Sequence, residues 1–215
     1  MDTAMARVLL RQLNRFLQPK SRLRFRAVFA LAGIWCFLPA GCSREEAPPA
    51  DGKVVYDFIA NQSSAEIPHY QRERVNFNAE FTINKEKRRV LWEHPTAEVE
   101  FPGVTIPEKA VLQFGIGINP DVWSKTGDGV TFEVTVVDEK SAKNMIFSDY
   151  INPKAESRHR KWLDHDIDLK DFAGQKVSFI FGTTFGPRGD GNYDWAGWSN
   201  LRVRLRGTDK RTDGR

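Results

Sequence analysis

The chain has 215 residues, 40% of them hydrophobic and 12% aromatic, which supports a real core and excludes a disordered composition. Its formal charge of +4 is not a property of the folded part: residues 1–41 hold seven basic side chains (Arg7, Arg11, Arg15, Lys20, Arg22, Arg24, Arg26) against Asp2, so they carry +6 and residues 42–215 carry −2. Nucleic-acid binding needs a basic face on the folded domain and is not indicated, and the only two cysteines, Cys36 and Cys42, precede the globular part and exclude a disulfide within it.

In chain order, the basic leader gives way at Arg26 to the apolar run 27–38, which is short for a membrane span. A charged region, a short apolar run and a small-residue exit predict a secretory signal peptide over 1–41. The exit, Leu38-Pro39-Ala40-Gly41-Cys42, resembles the bacterial lipobox at Ala40, Gly41 and Cys42, with Pro39 in place of the usual aliphatic residue. The resemblance implies that Cys42 is lipidated and anchors the chain in a membrane. Ordinary signal-peptidase cleavage and an uncleaved anchor are the alternatives. By resemblance to Gram-negative lipoproteins, Ser43 stands where an Asp would favour inner-membrane retention, which implies the outer membrane of the cell envelope over the inner. Residues 42–53, with Pro48, Pro49 and Gly52, read as a tether.

The first predicted strand is Val54–Ile59. Ala60–Lys87 is polar and reads as a loop, with a short strand possible at Val75–Ile83, where Val75, Phe77, Ala79, Phe81 and Ile83 alternate with polar residues. Arg89–Glu93 and Ala97–Phe101 follow, broken at His94-Pro95. Ala110–Ile118 reads as a buried strand, with Gly115 and Gly117 inviting close backbone approach. Gly129–Asp138 alternates Val130, Phe132, Val134 and Val136 against polar residues. Lys143–Ile151, Trp162–Leu169, Gln175–Phe185 and Ser199–Leu205 complete the set, and 207–215 is a polar tail. No long 3.6-residue periodicity follows residue 42. Many short strands with turn residues between them predict an all-β antiparallel sandwich, a jelly roll, over 54–206.

From Ala110 onward four elements occur in a telling order: Leu112–Ile118, Asp128–Val134, Trp162 leading into Asp168-Leu169 and Val177, and Tyr193–Trp198 leading into the last strand. Together they resemble the galactose-binding-like jelly-roll modules, and within them the NPCBM-type carbohydrate-binding group of secreted bacterial proteins. The resemblance covers about half of the chain. It implies carbohydrate binding without catalysis, by loops at one end of the sandwich around 119–128 and 186–198.

The segment Gly186–Trp198 concentrates glycines, a proline, acids and aromatics. Sugars stack their C–H faces on aromatic rings while polar side chains take the hydroxyls. Trp123, Tyr193, Trp195 and Trp198 are the candidate platforms, with Arg188, Asp190, Asn192 and Asp194 as polar partners. Alternatively, Trp195 and Trp198 plug the sandwich. Asp190-x-Asn192-x-Asp194 has the local look of a calcium loop, to which Asp128 could add a ligand. The resemblance also implies a structural calcium, since these folds often carry one. The plainer reading is that these side chains cap turns.

His69, His94, His159 and His165 show no metal-ligand spacing, and His165 alternates with Leu163 and Ile167 as an inward residue. Asp164 and Asp166 share a strand face, as paired carboxylates would. No nucleophile elbow, P-loop or dinucleotide fingerprint is present. The expectation is a non-catalytic envelope lipoprotein that binds glycan. The alternatives are a scaffolding lipoprotein with an envelope-protein partner, and a glycan-acting hydrolase.

Overall fold

The computed structural model describes residues 52–207. The signal peptide, Cys42, most of the tether and nearly all of the polar tail lie outside the described residues.

Ten strands carry the fold: β1 (Val54–Asp57), β2 (Val75–Ile83), β3 (Glu86–Glu93), β4 (Ala97–Thr105), β5 (Ala110–Ile118), β6 (Val130–Val137), β7 (Lys143–Ile151), β8 (Leu163–Asp168), β9 (Lys176–Phe185) and β10 (Ala196–Leu205). They form two antiparallel sheets packed as a jelly-roll sandwich. One sheet runs β2-β3-β10-β5-β8, with β1 also paired to β10; the other runs β4-β9-β6-β7. Among the described residues the helices are 3-10 turns of three to six residues.

The main core lies between the sheets. Along β6 and the first half of β9 inward positions alternate with outward ones, while β5 and β10 are covered on both faces over most of their length. Trp198 is fully buried at its centre, with its ring 5.0 Å from Phe132 and 5.5 Å from both Phe114 and Phe181. Its indole Nε1 donates to Oε2 of the buried Glu93 at 3.2 Å.

Three boundaries differ from the sequence reading by three residues or more. Strand β3 begins at Glu86, because Asn84 and Lys85 both take positive φ and close a two-residue hairpin with β2. Strand β4 continues through Pro102 and Gly103 to Thr105 by a register shift, with Gly103 at φ 74°. Strand β10 starts at Ala196, so Ala196-Gly197-Trp198 belongs to the sheet and not to the preceding loop.

The sequence reading also misses a second core. A register shift between Asn76 and Ala79 reverses the faces of β2, so Phe77 packs into the main core while Phe81 and Ile83 turn outward. There they join Val90 and Trp162, with the Phe81 and Trp162 rings stacked at 6.5 Å. Gly197 and Gly117, paired on β10 and β5, form the floor: a Cβ on Gly117 would meet the Trp162 ring at 3.1 Å and Ile83 at 2.8 Å.

Candidate functional site

Three loops meet at one end of the sandwich: 119–129 between β5 and β6, 152–162 between β7 and β8, and 186–195 between β9 and β10. The first and third are joined directly. Asn119 N–H donates to the Trp195 carbonyl at 3.0 Å, and Arg188 N–H donates to Asp128 Oδ2 at 2.5 Å. The second is tied to the third by Lys154, whose ammonium donates to Asp194 Oδ1 at 2.8 Å and to the Asn192 carbonyl at 2.9 Å. This contact is dry: the Lys154 side chain is 5% exposed and that of Asp194 0%. Gly127, at φ 119°, covers the ammonium, where a Cβ would collide with Lys154 Nζ and the Asn192 carbonyl.

Burial pushes the Asp194 carboxyl above its ordinary range, against the pull of Lys154. Asp128 is also buried. Among the described residues, its Oδ1 and Asp194 Oδ2 have no hydrogen-bond partner. Behind them, Tyr150 Oη donates to the Asp128 carbonyl at 2.5 Å and receives a bond from Asn152 Nδ2 at 3.2 Å.

The exposed rim stands on this buried base. Tyr193, at φ 56°, is 44% exposed. Beside it, Asp190 Oδ1 accepts from Asn192 N at 3.0 Å and Nδ2 at 2.7 Å, and these bonds hold the Asp190 carboxyl below its usual range. Arg188 is exposed, with Nη2 3.4 Å from the Gly127 carbonyl.

The other candidates fall elsewhere, and Trp198 is no platform at all, since it is fully buried in the main core. Trp195 is half-buried against the main core. Trp123 packs against both cores, donates its Nε1 to the Ile118 carbonyl at 2.9 Å and has the Arg160 guanidinium 5.9 Å from its ring centroid. Asp164 and Asp166 do not act on each other. Asp164 pairs with Arg88, Asp166 with Arg204 at 2.5 Å, and Asp168 with Arg206 at 3.1 Å. His165 faces inward between Phe114 and Phe147, and its Nε2 is buried without a hydrogen-bond partner among the described residues. Lys154 carries no signal in the sequence, since its partner lies 40 residues away.

The calcium loop does not fit. A hard cation needs several oxygens free to converge on it, but Asp190 Oδ1 is engaged by Asn192, and Asp194 Oδ1 by an ammonium. Among the described residues no group of three or more His, Cys, Asp or Glu side chains is arranged to hold a metal ion. A cavity of about 320 Å³ lies away from this end, on the outer face of β4 and β9. It is lined by Glu66, Ile67, Pro68, Glu98, Glu100 and Ile180 and has no aromatic platform.

No family model matches the chain. A protein from Archaeoglobus fulgidus, described only as uncharacterized, is 41% identical over 127 residues, which is 56% of this chain and 32% of the relative. The match thus spans about a third of that relative's length. Among solved structures, the chain is similar to a non-crystalline-cellulose-specific carbohydrate-binding module, CBM28, at 9% identity and a TM-score of 0.46, covering 73% of this chain and 98% of that one. It is also similar to CBM51 of a Clostridium perfringens GH95 protein in complex with methyl-galactose, at 12% identity and 0.42, covering 60% and 80%. A third is the K1 cleaved adhesin domain of Lys-gingipain from Porphyromonas gingivalis, at 12% identity and 0.45, covering 67% and 92%.

Proposed function

We propose that this protein is a non-catalytic glycan-binding module of the cell envelope, anchored through lipidated Cys42. The loop end formed by 119–129 and 186–195 takes the saccharide. The observation that carries this reading is the exposed Tyr193, set at positive φ in the same loop as Arg188, Asp190 and Asn192, a loop tied down by the buried Lys154–Asp194 pair. An aromatic face beside a carboxylate, an amide and a guanidinium offers what a pyranose ring needs: a surface for its C–H face and partners for its hydroxyls. Trp123 and Trp195 support the loops from beneath, and Tyr193 does the stacking.

Calorimetric titration of the full chain with a panel of neutral and acidic saccharides tests this. Binding of one sugar class is expected, weakened at least tenfold by Tyr193→Ala with the melting midpoint unchanged. A protein that binds no saccharide refutes the reading. Strand addition by an envelope protein along β7 is then favoured, since β7 is an edge strand with Met145 59% exposed. The anchor is checked separately: Cys42→Ser should move the chain from the membrane fraction to the soluble one.

A further inference from the structure

We infer that Lys154 serves as a built-in cation at the loop end, its ammonium occupying the place a divalent metal ion would take. Its ligands are those a hard cation would choose, the Asp194 carboxylate at 2.8 Å and the Asn192 main-chain carbonyl at 2.9 Å. A second buried carboxylate, Asp128, lies close enough to oppose ionisation of Asp194. An uncompensated pair of buried carboxylates is strongly unfavourable and is relieved either by protonation or by a cation; here the ammonium at 2.8 Å supplies the cation.

Covalent attachment decides how that charge is supplied. The ammonium arrives on the 152–162 loop and is enclosed by Gly127, where any side chain would displace it. It joins the loop before β8 to the loop before β10, across 40 residues of sequence. The loop end therefore keeps its shape whatever the calcium concentration. Removing the lysine side chain without filling its space should uncover a metal site made of Asp194, Asp128 and the Asn192 carbonyl.

The test is a set of thermal melts on the full chain, in chelator and in millimolar calcium. The wild-type midpoint should be the same in both. Lys154→Ala should melt lower than wild type in chelator and recover on addition of calcium by roughly 2–4 °C or more, the shift expected of a domain this size for a modest gain in stability. Lys154→Met also loses the charge but fills the space, so it should melt low and stay low. A wild-type midpoint raised by calcium overturns the inference, and this arm needs no variant to fold. A Lys154→Ala protein that melts like wild type in chelator, or that calcium leaves unmoved, overturns it too.

Discussion

Arg88 on β3 reaches across two intervening strands to form a two-bond ion pair with Asp164 on the edge strand β8. Nη2 donates to Oδ2 at 3.0 Å, and Nη1 donates to Oδ1. It passes over Ser199 on β10 and Gly115 on β5, with its guanidinium 4.8 Å from the Trp162 ring centroid. A Cβ on Gly115 would stand 2.7 Å from Arg88 Nη1 and 2.7 Å from Ser199 Oγ. Gly115→Ala should therefore cost about 1–3 kcal/mol by overpacking. Equilibrium urea unfolding checks this, and a variant as stable as wild type would mean that the bridge is not held against the sheet.

Trp123→Ala should act on stability rather than on recognition. The indole supports both cores and bonds to the Ile118 carbonyl, so its loss should cost about 2 kcal/mol or more. Its residual saccharide affinity, measured below the melt, should exceed that of Tyr193→Ala. The reverse ranking would return the stacking role to Trp123.

Glu93 gives the protein an unusual response to alkali. It is fully buried, its Oε1 has no hydrogen-bond partner among the described residues and Glu98 adds a like charge, so burial above all raises its pKa well above the ordinary carboxylate value. The unfolded chain releases this proton near pH 4.3 while the folded chain keeps it to higher pH, so this group's contribution to stability declines as pH rises above about 4.3. Glu93→Gln mimics the protonated form. It should be more stable than wild type at pH 7, by about 1–3 kcal/mol, with the gap closing toward pH 4. A gap that does not change with pH would remove Glu93 titration as its cause.

His165 tilts stability the other way. Burial between Phe114 and Phe147 lowers its pKa, outweighing the pull of Asp149 and Asp164. The unfolded chain thus takes up the proton first, and stability is lost as pH falls from about 6.5 toward the folded value. His165→Phe keeps a ring in place and removes the titration. Relative to this variant, wild type should weaken between pH 7 and pH 5 in denaturant unfolding. Parallel curves would show that His165 does not titrate differently in the folded and unfolded chains.

Alternation along single strands was the legible part of this fold. Ala110–Ile118 reads as a buried strand and is β5, and Val130, Phe132, Val134 and Val136 read as one face and line the core. Asp164 and Asp166 read as sharing a face, and they do; that each meets a different arginine, Arg88 or Arg204, depends on strand order, which no local pattern encodes. Phe77, Ala79, Phe81 and Ile83 read as one stripe, but a single shifted residue sends them to opposite sides of the sheet. At the candidate site, the segment 186–198 stood out by composition alone. Lys154 did not, because an isolated lysine in a polar loop looks like any solvated one until its partner is known.

Strand β10 begins beside the loop end at Ala196 and finishes at Leu205, where it pairs with the first residues of β1. Its ten residues span roughly 30 Å. The polypeptide therefore enters the sandwich at the pole opposite Tyr193. A segment joined at Gly52 thus meets the domain at its foot, at the end of the sheet away from the aromatic rim.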